Sequence, residues 1–204
     1  MSTPGDDTTG TGYLDVTVEP SPDRDQFFAA SVETVGFVMN TTRLWALLPD
    51  LHGKLFGLLD DLAGVAGLTF RQRGILVTAC ASTLGDSYCS LAWGRKLTDR
   101  DGPEVPVSVI IGADDALTPD ERALAAWARL VAGSPADTVA ADVEPLRAAG
   151  YDDAQILAIT AFVGLRMAFS TVNAALGVQP DHEYDDDSPV RAVVGFGRPI
   201  AAGT

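Results

Sequence analysis

Apolar residues recur at intervals of three and four positions along most of the chain, a spacing that is typical of amphipathic helices. This pattern predicts an all-α fold of about eight helices. The expected helical segments, with short ones included, are 26–35, 42–48, 51–63, 68–84, 87–96, 104–111, 118–133, 142–149 and 154–176. One short stretch, 13–18, alternates apolar and polar residues as a strand does, and we expect it to form an extended arm.

Several predicted helices have marked ends. Thr69 with Gln72, and Thr118 with Glu121, have the spacing of a capping box, in which two side chains and two backbone N–H groups pair reciprocally. Gly85 follows the last apolar position of its helix, and glycine readily adopts the left-handed conformation that closes a helix. A new helix is therefore predicted to begin directly after Gly85.

The longest predicted helix, 154–176, is apolar on nearly every side. Its uncharged run of 12 residues before Arg166 is shorter than the roughly 20 residues that cross a bilayer. We therefore expect a core helix, or one shared with a second copy of the chain, and we do not expect a membrane span.

The chain divides into three parts by composition. Residues 1–24 are polar and acidic and are predicted to form a flexible N-terminal tail. Residues 25–180 carry the helical pattern and form one domain, and residues 181–204 form a C-terminal arm. The arm begins with an acidic run, 181–187, which we expect in solvent, and its apolar stretch 190–200 is expected to pack onto a neighbouring copy.

The composition bounds the function. The chain has 204 residues, of which 47% are hydrophobic, and this is enough for one buried core. A formal net charge of −14 repels nucleic-acid phosphates and anionic lipid head groups, so neither is an expected partner. The first 25 residues contain no apolar run of the kind found in secretion signals. We therefore expect a cytoplasmic protein whose two cysteines are reduced.

Cys89 is the candidate reactive residue. It falls in the first turn of the helix after Gly85, where free N–H groups and the helix dipole favour a thiolate. Asp86 opposes this effect when ionised, but it is also the expected N-cap, and a capping carboxylate is engaged by backbone N–H groups. The balance favours a modestly activated thiol, with an inactive thiol as the alternative.

Three further residues belong to the candidate site. Cys80 lies on the apolar face of the preceding helix and is either a core residue or, if the turn at Gly85 brings the two sulfurs together, a resolving thiol. Trp93 lies one turn after Cys89 and is expected to cover its sulfur. Trp93 and Tyr88 are predicted to line a substrate pocket.

The sequence does not indicate a metal site. His52 follows a leucine at a helix start and is expected at the surface or in a helix cap. His182 lies in the acidic run, which has no spacing specific for metal ligands.

Several segments resemble one known family in their order and spacing. They are 36–40 (GFVMN), 71–76 (RQRGIL), 117–124 (LTPDERAL), 142–151 and 173–178. Over roughly residues 26–181 the chain resembles the alkylhydroperoxidase D-like and carboxymuconolactone decarboxylase family.

The redox members of that family carry a glutamate, then Cys-x-x-Cys, and then a histidine four residues after the second cysteine. In this sequence Gly74 stands at the glutamate position, Asp86 at the first cysteine and Trp93 at the histidine. Cys89 matches the second cysteine, which the resemblance makes the thiol that meets peroxide.

The resemblance implies an alkylhydroperoxidase D-like fold, a homo-oligomer and the thiol-dependent reduction of a small peroxide. In this activity Cys89 is the peroxidatic thiol and Asp86 a proton acceptor. The resulting sulfenic acid is resolved by Cys80, by another subunit or by an external thiol reductant, and no cofactor is needed.

Two alternatives stay open. One is a non-catalytic binding or assembly protein on the same fold. The other is a lyase that resembles the lactone decarboxylase branch, which would need a cationic site. A histidine would also serve there, and the candidate cations near the site are Arg71, Arg73 and Arg95.

Overall fold

The computed structural model describes residues 10–184 and 187–194. Within these residues the chain is helical and contains no strand, and eight of its ten α-helices have seven residues or more, which confirms the predicted all-α fold. The helices are α1 (Pro22–Val35), α2 (Asn40–Trp45), α3 (Pro49–Ala66), α4 (Phe70–Leu84), α5 (Ser87–Asp101), α6 (Glu104–Ile111), α7 (Pro119–Gly133), α8 (Ala140–Ala148), α9 (Asp153–Ala175) and α10 (Pro189–Val193).

The helix ends predicted from capping residues and from Gly85 are confirmed. The Thr69 hydroxyl accepts the backbone N–H of Gln72 at 3.2 Å, and the side-chain Oε1 of Gln72 accepts the backbone N–H of Thr69 at 2.9 Å, which completes a capping box at the start of α4. Thr118 and Glu121 form the same arrangement at the start of α7. Gly85 closes α4 with φ 69°, a left-handed conformation that costs a residue with a side chain more.

The main core surrounds α4, which packs against α5, α7 and α9. Its fully buried side chains come from several helices, as their apolar spacing predicts. They include Ile75, Leu76, Leu124, Leu146 and Ile159. Because α4 is buried on several sides, the segment after it is held in a fixed position.

The α9 helix is the described helix with the length and apolar composition of a membrane span. It nevertheless packs against α3, α4 and α7 and contributes nine buried residues, so it is a core helix in this fold. One of the nine is Arg166, which is 3% exposed.

Three helices, α1, α3 and α5, are clearly longer than expected, and local interactions account for the extension of α1 and α5. α1 begins at Pro22 because the Ser21 hydroxyl accepts the Arg24 N–H at 3.2 Å and proline suits a first helical position. α5 continues to Asp101 instead of ending in a polar loop at Thr98. Leu97 is completely buried, and the Thr98 hydroxyl donates to the Gly94 carbonyl within the helix at 2.9 Å.

From Gly10 onwards the N-terminal segment is not the flexible tail that was expected, because it packs against the domain. The Tyr13 N–H donates to the Leu176 carbonyl, and the Gln179 N–H donates to the Gly10 carbonyl, both at 2.8 Å. Thr11 and Val16 are buried. The extended arm therefore lies against the end of α9 in its own chain, while residues 1–9 lie outside the described residues.

The C-terminal arm also packs on its own chain where it is described, and the expected contact of 190–200 with a neighbouring copy stays a prediction. Val190 of α10 is fully buried against α5 and α6, and a Cβ on Gly94 would lie 2.5 Å from Val190 Cγ1. Asp181, expected in solvent, is 3% exposed because it binds two polar groups of the domain. Residues 185–186 and 195–204 lie outside the described residues.

Candidate functional site

Cys89 lies in the first turn of α5 and is buried. Asp86 is the N-cap, as expected, and its Oδ1 accepts the Cys89 N–H at 3.0 Å. The other carboxylate oxygen, Oδ2, is buried and has no hydrogen-bond partner in the described structure. The backbone donor that could have stabilised a thiolate is therefore already bound to a carboxylate.

Arg166 reaches the sulfur from α9. Its Nη2 lies 3.4 Å from Cys89 Sγ, and its guanidinium carbon lies 5.8 Å and 5.0 Å from the ring centroids of Phe56 and Phe169. Its Nε is buried without a partner, and Arg166 makes no ion pair with any described residue. A buried cation without a carboxylate partner is rare in proteins, and here it faces a thiol.

The environment of Cys89 holds its thiol in the protonated form. Burial raises the pKa of the thiol well above its ordinary value, and the negative charge of Asp86 raises it further. The guanidinium of Arg166 and a hydrogen bond with Ser170 lower the pKa, but they do not offset the burial. The prediction of a modestly activated thiol is therefore wrong, because the sulfur is not at the surface of the helix N-terminus but beneath it.

Cys80 is also buried, and both thiols are free. Burial raises its pKa to about 11, while the charge of Arg166 lowers it and that of Asp86 raises it. The two cysteines thus lie within the electrostatic influence of the same cation and the same carboxylate. Cys80 belongs to the main core, and Cys89 belongs to a second apolar cluster with Tyr88 and Phe169.

His52 does not lie at the surface as expected but belongs to an aromatic group around Arg166. Its ring stacks on Phe56 with a centroid distance of 4.2 Å and meets the edges of Trp45 and Phe169 at 5.7 and 6.2 Å. Burial lowers the pKa of His52 to about 4, and the charge of Arg166 adds to this effect. The imidazole is therefore neutral at pH 7.

The residues at the family's glutamate and histidine positions have other surroundings. A Cβ on Gly74 would lie 2.6 Å from Leu97 Cδ2, so the space for a larger side chain is filled by leucine. Trp93, which was expected to cover the sulfur, packs against the main core, whereas Cys89 belongs to the second apolar cluster. The Trp93 ring packs against Phe70 with a centroid distance of 5.6 Å, and Lys96 Nζ lies 5.1 Å from its ring centroid.

A cavity of about 500 Å³ lies beside the start of α5. Tyr88 is one of its lining residues, whereas Cys89 and Trp93 are not. Its wall is formed by Tyr13, Leu84, Gly85, Asp86, Ser87, Tyr88, Ser170, Thr171, Asn173, Ala174, Ala175, Gly177, Val178 and Gln179. Asp86 and Ser170 therefore line the cavity and also interact with the Cys89 thiol.

Asn173 is a second polar residue of this wall whose hydrogen bonds are incomplete. Its Oδ1 accepts from Trp45 Nε1 at 3.0 Å and from the Thr41 hydroxyl at 3.4 Å. Its Nδ2 is buried and has no partner in residues 10–184 and 187–194. Two of the residues that line the cavity, Asp86 and Asn173, thus each keep one unused polar atom.

Tyr88 is fixed by the C-terminal arm. Its hydroxyl donates to Asp181 Oδ2 at 2.7 Å, and Asp181 Oδ1 accepts the Asn40 N–H at 2.6 Å, which also caps α2. Burial raises the pKa of Asp181, and the two hydrogen bonds lower it. This cluster anchors the residue that precedes Cys89.

The three arginines named as cationic candidates from the sequence are engaged elsewhere. Arg71 binds Glu121 and Arg73 binds Asp60, with shortest distances of 2.6 and 2.9 Å. Arg95 lies over the Tyr184 ring at 5.9 Å. No group of three or more metal-ligating side chains occurs in the part of the chain that the structure describes.

No protein-family model matches this sequence, and none of the curated proteins matches it. Solved structures do. The AhpD core of an uncharacterized peroxidase-related protein from Ralstonia eutropha JMP134 superimposes with a TM-score of 0.75, at 24% identity, over 85% of this chain and 94% of that chain. A peroxidase-related protein from Silicibacter sp. TM1040 gives 0.74, at 23% identity, over 90% and 97%.

The chain has the AhpD-like fold. The debrominase Bmp8 is also similar, with a TM-score of 0.69 at 19% identity over 91% of this chain and 95% of that chain, and its structure is of a cysteine-to-alanine variant in complex with 2,3,4-tribromopyrrole. These similarities establish the fold. The chemistry of the site has to be inferred from the side chains that this chain carries.

The main partner of Cys89 on this AhpD-like fold, Arg166, is not evident from the sequence around the cysteine. Arg166 and Ser170 lie more than 75 positions from Cys89 in sequence, and only the packing of α9 against the rest of the domain brings them to the sulfur. The available signal was the single arginine within an otherwise apolar helix. A charge at such a position is expensive to bury and therefore indicates a specific role.

Proposed function

We propose that the protein is a thiol-dependent peroxidase that reduces a small peroxide with Cys89. The observation that carries the proposal is the 3.4 Å contact between Sγ and the buried guanidinium of Arg166, which has no carboxylate partner among the described residues. An unpaired buried cation stabilises the anion that forms when the thiol loses its proton. The peroxidase-related proteins of the same fold support the reaction class.

The oxidation step uses two residues besides Cys89. Asp86 Oδ2, which is unused, takes the thiol proton, and Arg166 stabilises the thiolate. The thiolate attacks one peroxide oxygen, the O–O bond breaks, and the leaving alkoxide receives the proton from Asp86. The balance is Cys–SH + ROOH → Cys–SOH + ROH, in which sulfur loses two electrons and the peroxide gains them.

The oxidised cysteine returns to the thiol by reaction with an external thiol reductant. One reductant molecule forms a mixed disulfide with Cys89 and releases water, and a second one releases the Cys89 thiol and a reductant disulfide. Cys80 is the internal alternative, because it is a free thiol within the influence of the same arginine. In that case a Cys80–Cys89 disulfide and one water form.

The site favours a slow reaction. The raised pKa of Cys89 leaves little thiolate at neutral pH, and the family's glutamate and histidine are replaced by Gly74 and Trp93, which do not transfer protons. The proposed setting is a cytoplasmic homo-oligomer. The substrate enters through the cavity beside Asp86, and a movement of Asp86 or Ser170 exposes the sulfur.

The test is the intact mass of the reduced protein after graded doses of hydrogen peroxide or cumene hydroperoxide, with dimedone as a sulfenic-acid trap. A dimedone adduct that disappears in Cys89→Ser and persists in Cys80→Ser supports the proposal. A loss of two hydrogens that requires both cysteines identifies Cys80 as the resolving thiol. The control is the same chain unfolded in urea, whose thiols are exposed.

A non-catalytic binding protein is the second candidate, and it is favoured by the cavity whose wall does not include Cys89. Peroxide doses that oxidise the unfolded chain but leave folded Cys89 unmodified would support this candidate and contradict the peroxidase. Adding 2,3,4-tribromopyrrole to the substrate panel tests whether the chemistry named for Bmp8 extends to this chain.

A further inference from the structure

The guanidinium of Arg166 has a second donor beside the one that meets the sulfur. Nη2 and Nε form one edge of the planar group, and their N–H bonds point in parallel. Nη2 donates to Cys89 Sγ at 3.4 Å, whereas Nε is buried and has no partner within the described chain. This edge of the guanidinium can bind two acceptors, and in the structure it binds one, the Cys89 sulfur.

Another arginine of the protein shows how this edge is used when both acceptors are present. Arg71 Nε donates to Glu121 Oε1 at 2.6 Å, and Arg71 Nη2 donates to Glu121 Oε2 at 3.1 Å. The two oxygens of one carboxylate satisfy both donors. At Cys89 the corresponding group has a single atom, the sulfur, and leaving a buried N–H without an acceptor costs stability.

We propose that the Nε–Nη2 edge of Arg166 is arranged to hold the oxidised form of Cys89, the sulfenate, with sulfur on Nη2 and the added oxygen on Nε. Oxidation supplies the missing acceptor at the place where the unused donor points. The inference rests on the proposed peroxidase function and assigns the regulation of its oxidised state.

The chemistry needs no component beyond the peroxide. After Cys–SH + ROOH → Cys–SOH + ROH, the sulfenic acid releases its proton to solvent and becomes Cys–SO⁻, which pairs with the guanidinium. Thiols attack the sulfur of the neutral sulfenic acid, whereas the anion is a poor electrophile. By favouring the anion, Arg166 prolongs the lifetime of the oxidised site and makes its reduction depend on pH.

The experiment follows oxidised Cys89 in a Cys80→Ser background, so that no internal thiol resolves it. The protein is treated with one equivalent of cumene hydroperoxide, desalted and mixed with glutathione, and the population carrying one added oxygen is followed by intact mass. Arg166→Lys keeps the charge but loses the paired donors. The half-life of oxidised Cys89 in this variant is expected to be about tenfold shorter than in the parent, which corresponds to the loss of one charge-assisted hydrogen bond.

Arg100→Lys is the matched control, because Arg100 is an exposed arginine on α5 whose guanidinium lies over the Phe70 ring. Its half-life is expected to equal that of the parent. The pH profile separates this role from a structural one. In the parent the decay rate stays flat on mild acidification, whereas in Arg166→Lys it rises as the sulfenate is protonated.

Chemical rescue of Arg166→Ala is a second test, for use if the Arg166→Lys variant folds poorly. In Arg166→Ala, millimolar guanidinium is expected to restore the half-life and equimolar ammonium is not, because only guanidinium has the paired donors. Equal half-lives in the parent and Arg166→Lys, or equal rescue by both ions, would overturn the inference while leaving the peroxidase standing. A complete lack of Cys89 oxidation in every variant would refute the peroxidase and the inference together.

Discussion

Two buried or half-buried arginines of this protein have opposite surroundings. Arg71 joins α4 to α7 through both oxygens of Glu121 and lies 3.5 Å from Asp101, and Glu121 also completes the capping box of α7. Arg166 has no ion pair in the described chain and meets the sulfur of Cys89. The first arginine connects helices, whereas the second retains unused bonding capacity.

The contrast extends only in part to their neighbours. Buried polar atoms without partners occur on Arg166, Asp86 and Asn173, and one also occurs on Asp101, which lies 3.5 Å from Arg71. Folding alone does not favour such atoms, because each costs about 1–3 kcal/mol. Asp86 and Asn173 line one cavity, and Arg166 contacts one thiol, which indicates that this region is arranged for a reaction or a ligand. The two hydrogen bonds between Arg71 and Glu121 indicate that Arg71 has a structural role.

Exchanging each arginine for methionine tests the contrast directly. Arg166→Met is expected to slow Cys89 oxidation about 100-fold, through loss of the cation that stabilises the thiolate, without lowering the free energy of unfolding. Arg71→Met is expected to lower that free energy by about 3 kcal/mol, because Glu121 is left buried without its partner, and to leave the oxidation rate unchanged. Urea unfolding and trapped-adduct mass measure both quantities.

Similar losses of stability in the two variants, or similar losses of reactivity, would contradict the division of roles. Arg100→Met serves as the control for removing one positive charge from a protein that is already acidic.

Gly74→Glu restores the residue type that the resembled family carries, and it tests whether the site can return to that pattern. The variant is expected to lose about 3 kcal/mol, because the new Cβ meets Leu97 and a carboxylate enters a packed region. Thermal and urea unfolding measure the loss. Gly74→Ala should retain part of the steric cost without the charge, and Gly74→Glu with Leu97→Ala should recover stability. If the stability of Gly74→Glu equals that of the natural chain, the Leu97 side chain moves aside at little energetic cost and the expectation is wrong.

The sequence was sufficient where a local pattern determines structure. The capping boxes at Thr69 and Thr118, the left-handed Gly85 and the N-cap at Asp86 each depend on residues within four positions, and all are confirmed. Periodicity likewise predicted the helices, because it reflects which face is buried.

The site was less predictable because its properties depend on residues far apart in sequence. The helix N-terminus correctly placed Cys89, but the direction of its pKa shift follows from burial by α9 and other elements. His52 was misplaced for the same reason, since its aromatic partner Phe169 lies on α9. Trp93 faces Phe70 because α5 turns that side toward the start of α4.

His52 reports on the charge of Arg166. Its folded pKa of about 4 lies below the ordinary 6.5, so its contribution to stability is complete above pH 6.5 and is lost as the pH falls toward 4. The full shift corresponds to about 3 kcal/mol, and partial exposure of the ring reduces this to about 2 kcal/mol. The difference in unfolding free energy between the natural chain and His52→Phe, measured from pH 7 to 4, should show this change.

NMR titration of the imidazole sharpens the comparison of the two arginines. The pKa of His52 is expected to rise in Arg166→Met and to stay unchanged in Arg71→Met. Burial is the larger cause of the lowered pKa, and of the two arginines Arg166 alone adds to it. A normal pKa in the natural chain would contradict the buried position of the ring.

Asp181→Asn gives the smallest expected effect and tests a fully satisfied group that lies close to the site. Asp181 accepts the Asn40 N–H and the Tyr88 hydroxyl, and Tyr88 precedes Cys89. Asparagine retains one of these acceptors, so the free energy of unfolding should fall by about 1 kcal/mol, as for a weakened helix cap. The oxidation rate of Cys89 should stay within about twofold of the rate in the natural chain. Both carboxylate oxygens of Asp181 already have hydrogen-bond partners, and we expect such a group to support the structure and not the reaction. A larger change in rate would place Asp181, through Tyr88, among the residues that position the thiol, and would extend the reactive region from α9 to the C-terminal arm.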